Sequence, residues 1–136
     1  MKKDVVAGLG EIGLPIYKII SRNFPVHGYD TDKKLIPNNP KKFGNYPVRF
    51  LHICIPYNKF FLPNILKLNN KFLPESIVVH STIKPKTTQN LQKKLSIPII
   101  YSPTRGVHKR MTSDLKKYAK FFALDNKIKN STLISK

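Results

Sequence analysis

Short apolar runs alternate with stretches of helical periodicity along this chain. Asp4-Val5-Val6-Ala7, closing at Gly8, is a compact apolar run that predicts a buried strand. In the stretch that follows, Ile12, Ile16, Ile19 and Ile20 recur at helical spacing, and Pro15 falls in the first turn or just past it, where a missing N–H costs least. The residues FPVHGYD predict a second strand that ends in Asp30. Thr31 to Pro47 is rich in Pro, Asn and Lys and reads as loop. Val48 to Pro56 is an apolar, β-branched run interrupted by His52, the pattern of a strand buried on both faces. Phe61, Ile65, Leu66 and Leu68 predict a helix with Pro63 near its start. A strand over Ile77 to His80, a short helix over KTTQNLQKKL and a strand over Ile99 to Tyr101 follow. Ser113 is a candidate N-cap for SDLKKYAKFFALD, which closes on a last strand, Phe121 to Leu124. The polar residues beyond Leu124 read as a fraying tail, leaving 1–124 as one domain.

Strands alternating with helices imply an α/β fold: a Rossmann-like, doubly wound, mostly parallel sheet. Thr31–Pro47 is too short for the strand and helix such folds usually place there, so the sheet is trimmed after its second strand. Three of the chain's 6 glycines fall between the first strand and the first helix, in the pattern Gly8-Leu9-Gly10-Glu11-Ile12-Gly13. A sharp strand-to-helix turn needs glycine at the first position. The second lets backbone approach a pyrophosphate, and the third lets the helix lie close on the strand. The helix N-terminus supplies N–H groups and partial positive charge for that anion. Asp30 stands a little short of the position, about 20 residues on, where the fingerprint expects an acid for the ribose hydroxyls. The competing role for Asp30 is a turn residue in YDTD. A carboxylate there repels a 2′-phosphate, so NAD is expected over NADP, although Lys33 and Lys34 soften that preference. Ligands of parallel sheets bind beyond the strands' carboxyl ends. The glycine loop, Asp30, Ile55-Pro56, His80-Ser81-Thr82 and the SPTRGVH segment all fall at such ends.

Composition changes the picture in two places. The net charge is +18, which suits a polyanionic partner. The lysines are scattered, however, and neither a long basic block nor a nucleic-acid signature occurs, so a nucleic-acid role is disfavoured. A positive field equally attracts a dinucleotide or a phosphorylated substrate. Cys54 is the single cysteine, which excludes an internal disulfide; on a core strand it reads as packing. No apolar run nears the ~20 residues of a membrane span, and the N-terminus does not read as an export signal. The expected compartment is cytoplasmic. His52 reads as a hydrogen-bonded core residue.

GLGEIGLP, YDTD, ICIP, HSTIKPKTT and YSPTRG, in this order, resemble the NAD-binding N-terminal domain of the UDP-glucose/GDP-mannose dehydrogenase family, over roughly Lys3 to Leu124. The 6-phosphogluconate and 3-hydroxyacid dehydrogenases share parts of the pattern. The resemblance implies NAD as cofactor, held by Gly8, Leu9, Gly10, Glu11, Ile12, Gly13 and Asp30, with Ile55, Pro56, Ser81 and Thr82 along its path. Thr82 and Arg105 become the candidates for contact with reacting groups. In that family Ser-Pro is usually followed by Glu-Arg, and the Glu assists the chemistry. Here the segment is Ser102-Pro103-Thr104-Arg105, and a threonine cannot act as a carboxylate base. The family's nucleophilic Cys and catalytic Lys lie in later segments and a second domain, and Cys54 matches neither.

From the residues themselves, Arg105 could hold a carboxylate or phosphate bidentately, and His108 could serve as acid or base; both also fit a basic surface loop. The expected function is an oxidoreductase acting on a CH–OH donor with NAD as acceptor, on a small molecule such as a sugar nucleotide or phosphorylated hydroxyacid. The alternative is a non-catalytic nucleotide-binding module without a substrate domain. Apolar surface that a second domain would cover predicts a homo-oligomer or a partner chain.

Overall fold

A computed structural model describes residues 1–38, 43–105, 108–117 and 120–124. In chain order the elements are β1 (Lys3–Ala7), α1 (Gly13–Ile20), β2 (Val26–Tyr29), β3 (Val48–Ile53), α2 (Phe61–Phe72), β4 (Ser76–Val79), α3 (Thr87–Lys94), β5 (Ile99–Tyr101), α4 (Met111–Lys117) and β6 (Ala123–Leu124). One six-stranded sheet runs in the order β2-β1-β3-β4-β5-β6. Its first five strands are mutually parallel. This is the mostly parallel, Rossmann-like α/β architecture. The stretch between β2 and β3 holds a single 3-10 turn, Lys33–Leu35, among its described residues, so β2 is an edge strand.

The strands' two faces carry different cores. Side chains alternate along a strand, so Val5, Ala7, Leu51, Ile53, Ile77, Val79 and Ile99 share one face. There they pack with Phe61, Ile65 and Leu68 of α2 and Leu91 of α3. The other face carries Val6, Leu9 and Val26 under Ile16 and Tyr17 of α1. Farther along the same face lie Phe50, Val78 and Ile100. A β-bulge modifies the alternation in β3. Lys3 pairs with Val48 but Val5 with Leu51, so β3 carries one extra residue. Both Arg49 and Phe50 consequently line the α1 side.

Two expectations are corrected. Ser113 does not cap a helix: α4 begins at Met111, whose buried side chain anchors the first turn, and Ser113 lies inside it. The last strand is Ala123–Leu124, without Phe121 and Phe122, and it runs antiparallel to β5, pairing Ile100 with Leu124 and Tyr101 with Ala123. The tail, 125–136, lies outside the described residues.

Candidate functional site

The chain order β1, α1, β2 winds the sheet one way and β3, β4, β5 the other, so the winding reverses between β1 and β3. Loops diverge at such a reversal and leave a crevice at the carboxyl ends of the strands. The glycine turn sits beside it. Gly8 has φ +89°, and a Cβ there would stand 2.7 Å from the Cys54 carbonyl oxygen. A Cβ on Gly13 would stand 1.6 Å from the Gly8 carbonyl oxygen. These two glycines are required by the protein itself. Gly10 is different: a Cβ there would meet nothing within 4 Å. Its bare backbone faces open space, as a turn that receives a ligand requires. The residue preceding α1, Ile12, offers no side-chain cap to the helix N-terminus, and the first amide bonded back is Leu14 N–H to Gly10 O at 3.1 Å.

Asp30 lies at the end of β2 and holds this turn. Its Oδ2 accepts the Leu9 N–H at 2.7 Å, and its Oδ1 accepts the Asp32 N–H at 2.9 Å. The second bond is the turn role anticipated for YDTD. The first ties the β2 terminus to the glycine loop. A carboxylate has about four acceptor positions, so these two bonds leave capacity for ribose hydroxyls. Gly8, Asp30, Ile55 and Pro56 line one cleft of about 340 Å³ together with Tyr29, Thr31, Asn64 and Lys67. Asn64, Lys67 and Leu68 come from α2 at helical spacing; the sequence pattern marks them as a helix face, but only the fold aims that face at the crevice. Lys67 adds a cation to this cleft.

The remaining candidates divide. The Leu9 side chain is core, 1 % exposed, and Ile12 packs in the same cluster, so both contribute backbone only. Glu11 is exposed. The Ser81 hydroxyl is already used: it donates to the Ile55 carbonyl at 2.6 Å, fastening β4's end to β3's. Thr82 is exposed at that end. Arg105 is exposed, with its guanidinium 4.9 Å from the Phe121 ring centre. None of Ser81, Thr82 and Arg105 lines the 340 Å³ cleft. Thr104, at the acid position of the family pattern, has a buried Oγ1 without a hydrogen-bond partner. The His108 side chain lies outside the described residues. Burial raises the Cys54 thiol to about 12, which suits packing and not nucleophilic chemistry.

A polar chain that sequence reasoning missed crosses the α1 side of the sheet. Arg49 grips Asp4 bidentately, Nε to Oδ1 at 3.0 Å and Nη2 to Oδ2 at 2.8 Å. His52 and His80 stack, with His52 Nδ1 2.9 Å from His80 Nε2, and His80 Nδ1 lies 3.1 Å from the Ser102 carbonyl oxygen. A carbonyl only accepts, so His80 Nδ1 carries a proton. Burial, before the charges of His52 and Lys120, drives the His80 pKa well down, so the ring is neutral and its Nε2 accepts from His52 Nδ1–H. That leaves His52 Nε2 3.8 Å from Asp4 Oδ2, beyond hydrogen-bond distance. Burial raises the Asp4 carboxyl, but its interactions with His52 and Arg49 outweigh burial and leave it lowered. Among the described residues no group of His, Cys, Asp or Glu is placed to hold a metal ion, and no helix is long and apolar enough to cross a membrane.

Neither a protein-family model nor a curated protein matches this chain.

Proposed function

We propose that this protein binds NAD at the carboxyl edge of its sheet, as the cofactor-holding part of an oxidoreductase acting on a CH–OH donor. The observation that carries the reading is the pairing of Gly10 with Asp30. Gly10 alone of the three motif glycines is not demanded by internal packing, and Asp30 bonds the Leu9 amide of the same turn. The pyrophosphate would lie against the Gly10 backbone and the start of α1, where N–H groups and the helix end favour an anion. Asp30 would take the ribose hydroxyls, and Ile55, Pro56 and Lys67 would line the cofactor's path. When bound, NAD supplies the hydride acceptor. The chain's own part is binding and orientation, and the substrate pocket would come from a further domain or a partner chain, which fits the resemblance to the nucleotide-sugar dehydrogenases.

A second reading, nucleotide binding without turnover, is favoured by the far end of the edge. Thr104 replaces the expected acid, the Ser81 hydroxyl is spent on Ile55, and Arg105 rests on Phe121. Two measurements separate the readings. Calorimetric titration should give saturable NAD binding, with NADP weaker, and Asp30→Asn should weaken NAD by roughly 10- to 100-fold, the worth of charge-assisted hydrogen bonds. Absence of NAD binding by folded protein sinks the first reading, and absence of NADP binding as well sinks the second. Cofactor reduction with sugar nucleotides or hydroxyacids then distinguishes an enzyme from a binding module.

A further inference from the structure

On the opposite side of the molecule from α2 and α3, a cavity of about 290 Å³ opens between α1, α4 and the sheet. Apolar side chains make most of its wall: Ile16 and Ile20 of α1, Phe50, Val78 and Ile100 of the strands, and Phe122. Its rim carries Phe24 and Phe122, which are 48 % and 47 % exposed. Exposed aromatic rings at the mouth of an apolar hollow favour an occupant that covers them.

The charges in this wall are unbalanced. Among the described residues its one acid, Asp4, faces Arg49 and His52, and His80 is neutral, so Lys120 is the cation that no acid of this wall meets. Lys120 donates to the Ser102 carbonyl oxygen at 3.2 Å, a neutral acceptor. Burial pulls its pKa down, the cost of holding an ammonium beside apolar groups. The same carbonyl oxygen meets His80 Nδ1, so Lys120 and the imidazole pair gather at one end of the cavity. Phe50 and Val78 lie two residues back along β3 and β4, toward the amino ends of the strands. Lys120 thus stands at one end of the hollow, while Phe50, Val78 and Ile100 form an apolar strip farther back, flanked by the Arg49–Asp4 pair, whose guanidinium lies 4.9 Å from the Phe50 ring centre.

We infer that this cavity binds an amphipathic monocarboxylate of medium chain length, with its headgroup on Lys120 and its hydrocarbon against Phe50, Val78 and Ile100. The volume lies at the lower end of ligand pockets, which begin near ~300 Å³, so the occupant is a medium-chain or single-ring acid and not a long lipid. This site is independent of the nucleotide cleft and stands whether or not NAD binds.

Octanoate is the probe. Calorimetric titration of the full chain should give saturable one-to-one binding. Lys120→Met should weaken it by at least about tenfold and Lys120→Arg should restore most of it. Acetate, which keeps the charge, and 1-octanol, which keeps the chain, should each bind at least about tenfold more weakly than octanoate. Val78→Phe, which fills the hollow and leaves the ammonium in place, should abolish binding and stands in if Lys120→Met does not fold. The inference fails if octanoate does not saturate, if folded Lys120→Met or folded Val78→Phe keeps the parent affinity, or if acetate or 1-octanol equals it.

Discussion

Gly10 and Gly13 are indistinguishable as letters and opposite in space. Gly13 has no room for a methyl group, since its Cβ would stand 1.6 Å from a backbone oxygen, whereas Gly10 faces open space. Gly13→Ala should therefore cost about 1–3 kcal/mol of stability by forcing α1 off the turn. Gly10→Ala should unfold within about 0.5 kcal/mol of the parent, as an exposed substitution does, yet lose NAD affinity because the methyl would occupy the place proposed for the pyrophosphate. Urea unfolding and calorimetry on the same two variants check this; equal loss of stability in both would remove the distinction. The glycines and Asp30 were legible because a turn and its acid are local features. The His52–His80 stack was not. Its members are 28 residues apart, and they meet only because β3 and β4 pair with His52 opposite Val78, which puts His80 one step beyond on the same face.

Among the elements, those defined by period alone emerged closest to expectation: Ile99–Tyr101 is β5, and the Phe61, Ile65, Leu68 face is the buried face of α2. Elements that depend on tertiary context did not. Nothing in a two-residue strand encodes its direction, so antiparallel β6 was invisible, as was the bulge that turns Arg49 and Phe50 to one side. Ser113 has an N-cap's chemistry, but burial of Met111 starts α4 earlier. The end of α2 carries a local misfit. Leu73 caps it at φ 47°, ψ 55°, in the left-handed region, with its side chain 76 % exposed. A left-handed conformation costs a non-glycine residue roughly 1–2 kcal/mol, and glycine returns part of that gain as unfolded-state entropy. Leu73→Gly should raise stability by about 0.5–1 kcal/mol, read as a higher urea midpoint at unchanged slope; a lower midpoint would show that the exposed leucine contributes packing that its burial does not suggest.

At the scale of the whole molecule, pH acts through groups that fold with depressed pKa values. His80 is neutral in the folded chain, whereas in the unfolded chain it takes up a proton near pH 6.5. Stability is therefore complete above that pH and declines below it, with a slope approaching about 1.4 kcal/mol per pH unit. His27, lowered by burial and by Lys3 and Lys71, adds to the same trend. Asp4 adds a second loss once pH falls below its unfolded value of 3.8. Each proton taken up also enlarges a net charge already at +18, which opposes compactness. Urea midpoints should fall between about pH 7.5 and 5, and His80→Gln should flatten the decline; a flat parent profile would contradict a neutral buried imidazole.

The direction of β6 also has a practical consequence. The chain enters β1 from the sheet's amino edge and, because β6 runs against its neighbours, leaves Leu124 toward that edge again. A tether ahead of β1, whether to a sensor chip, a bead or a fluorescent fusion, would grip the back of the sheet, at the edge toward which β6 also points, and leave the glycine turn facing solution.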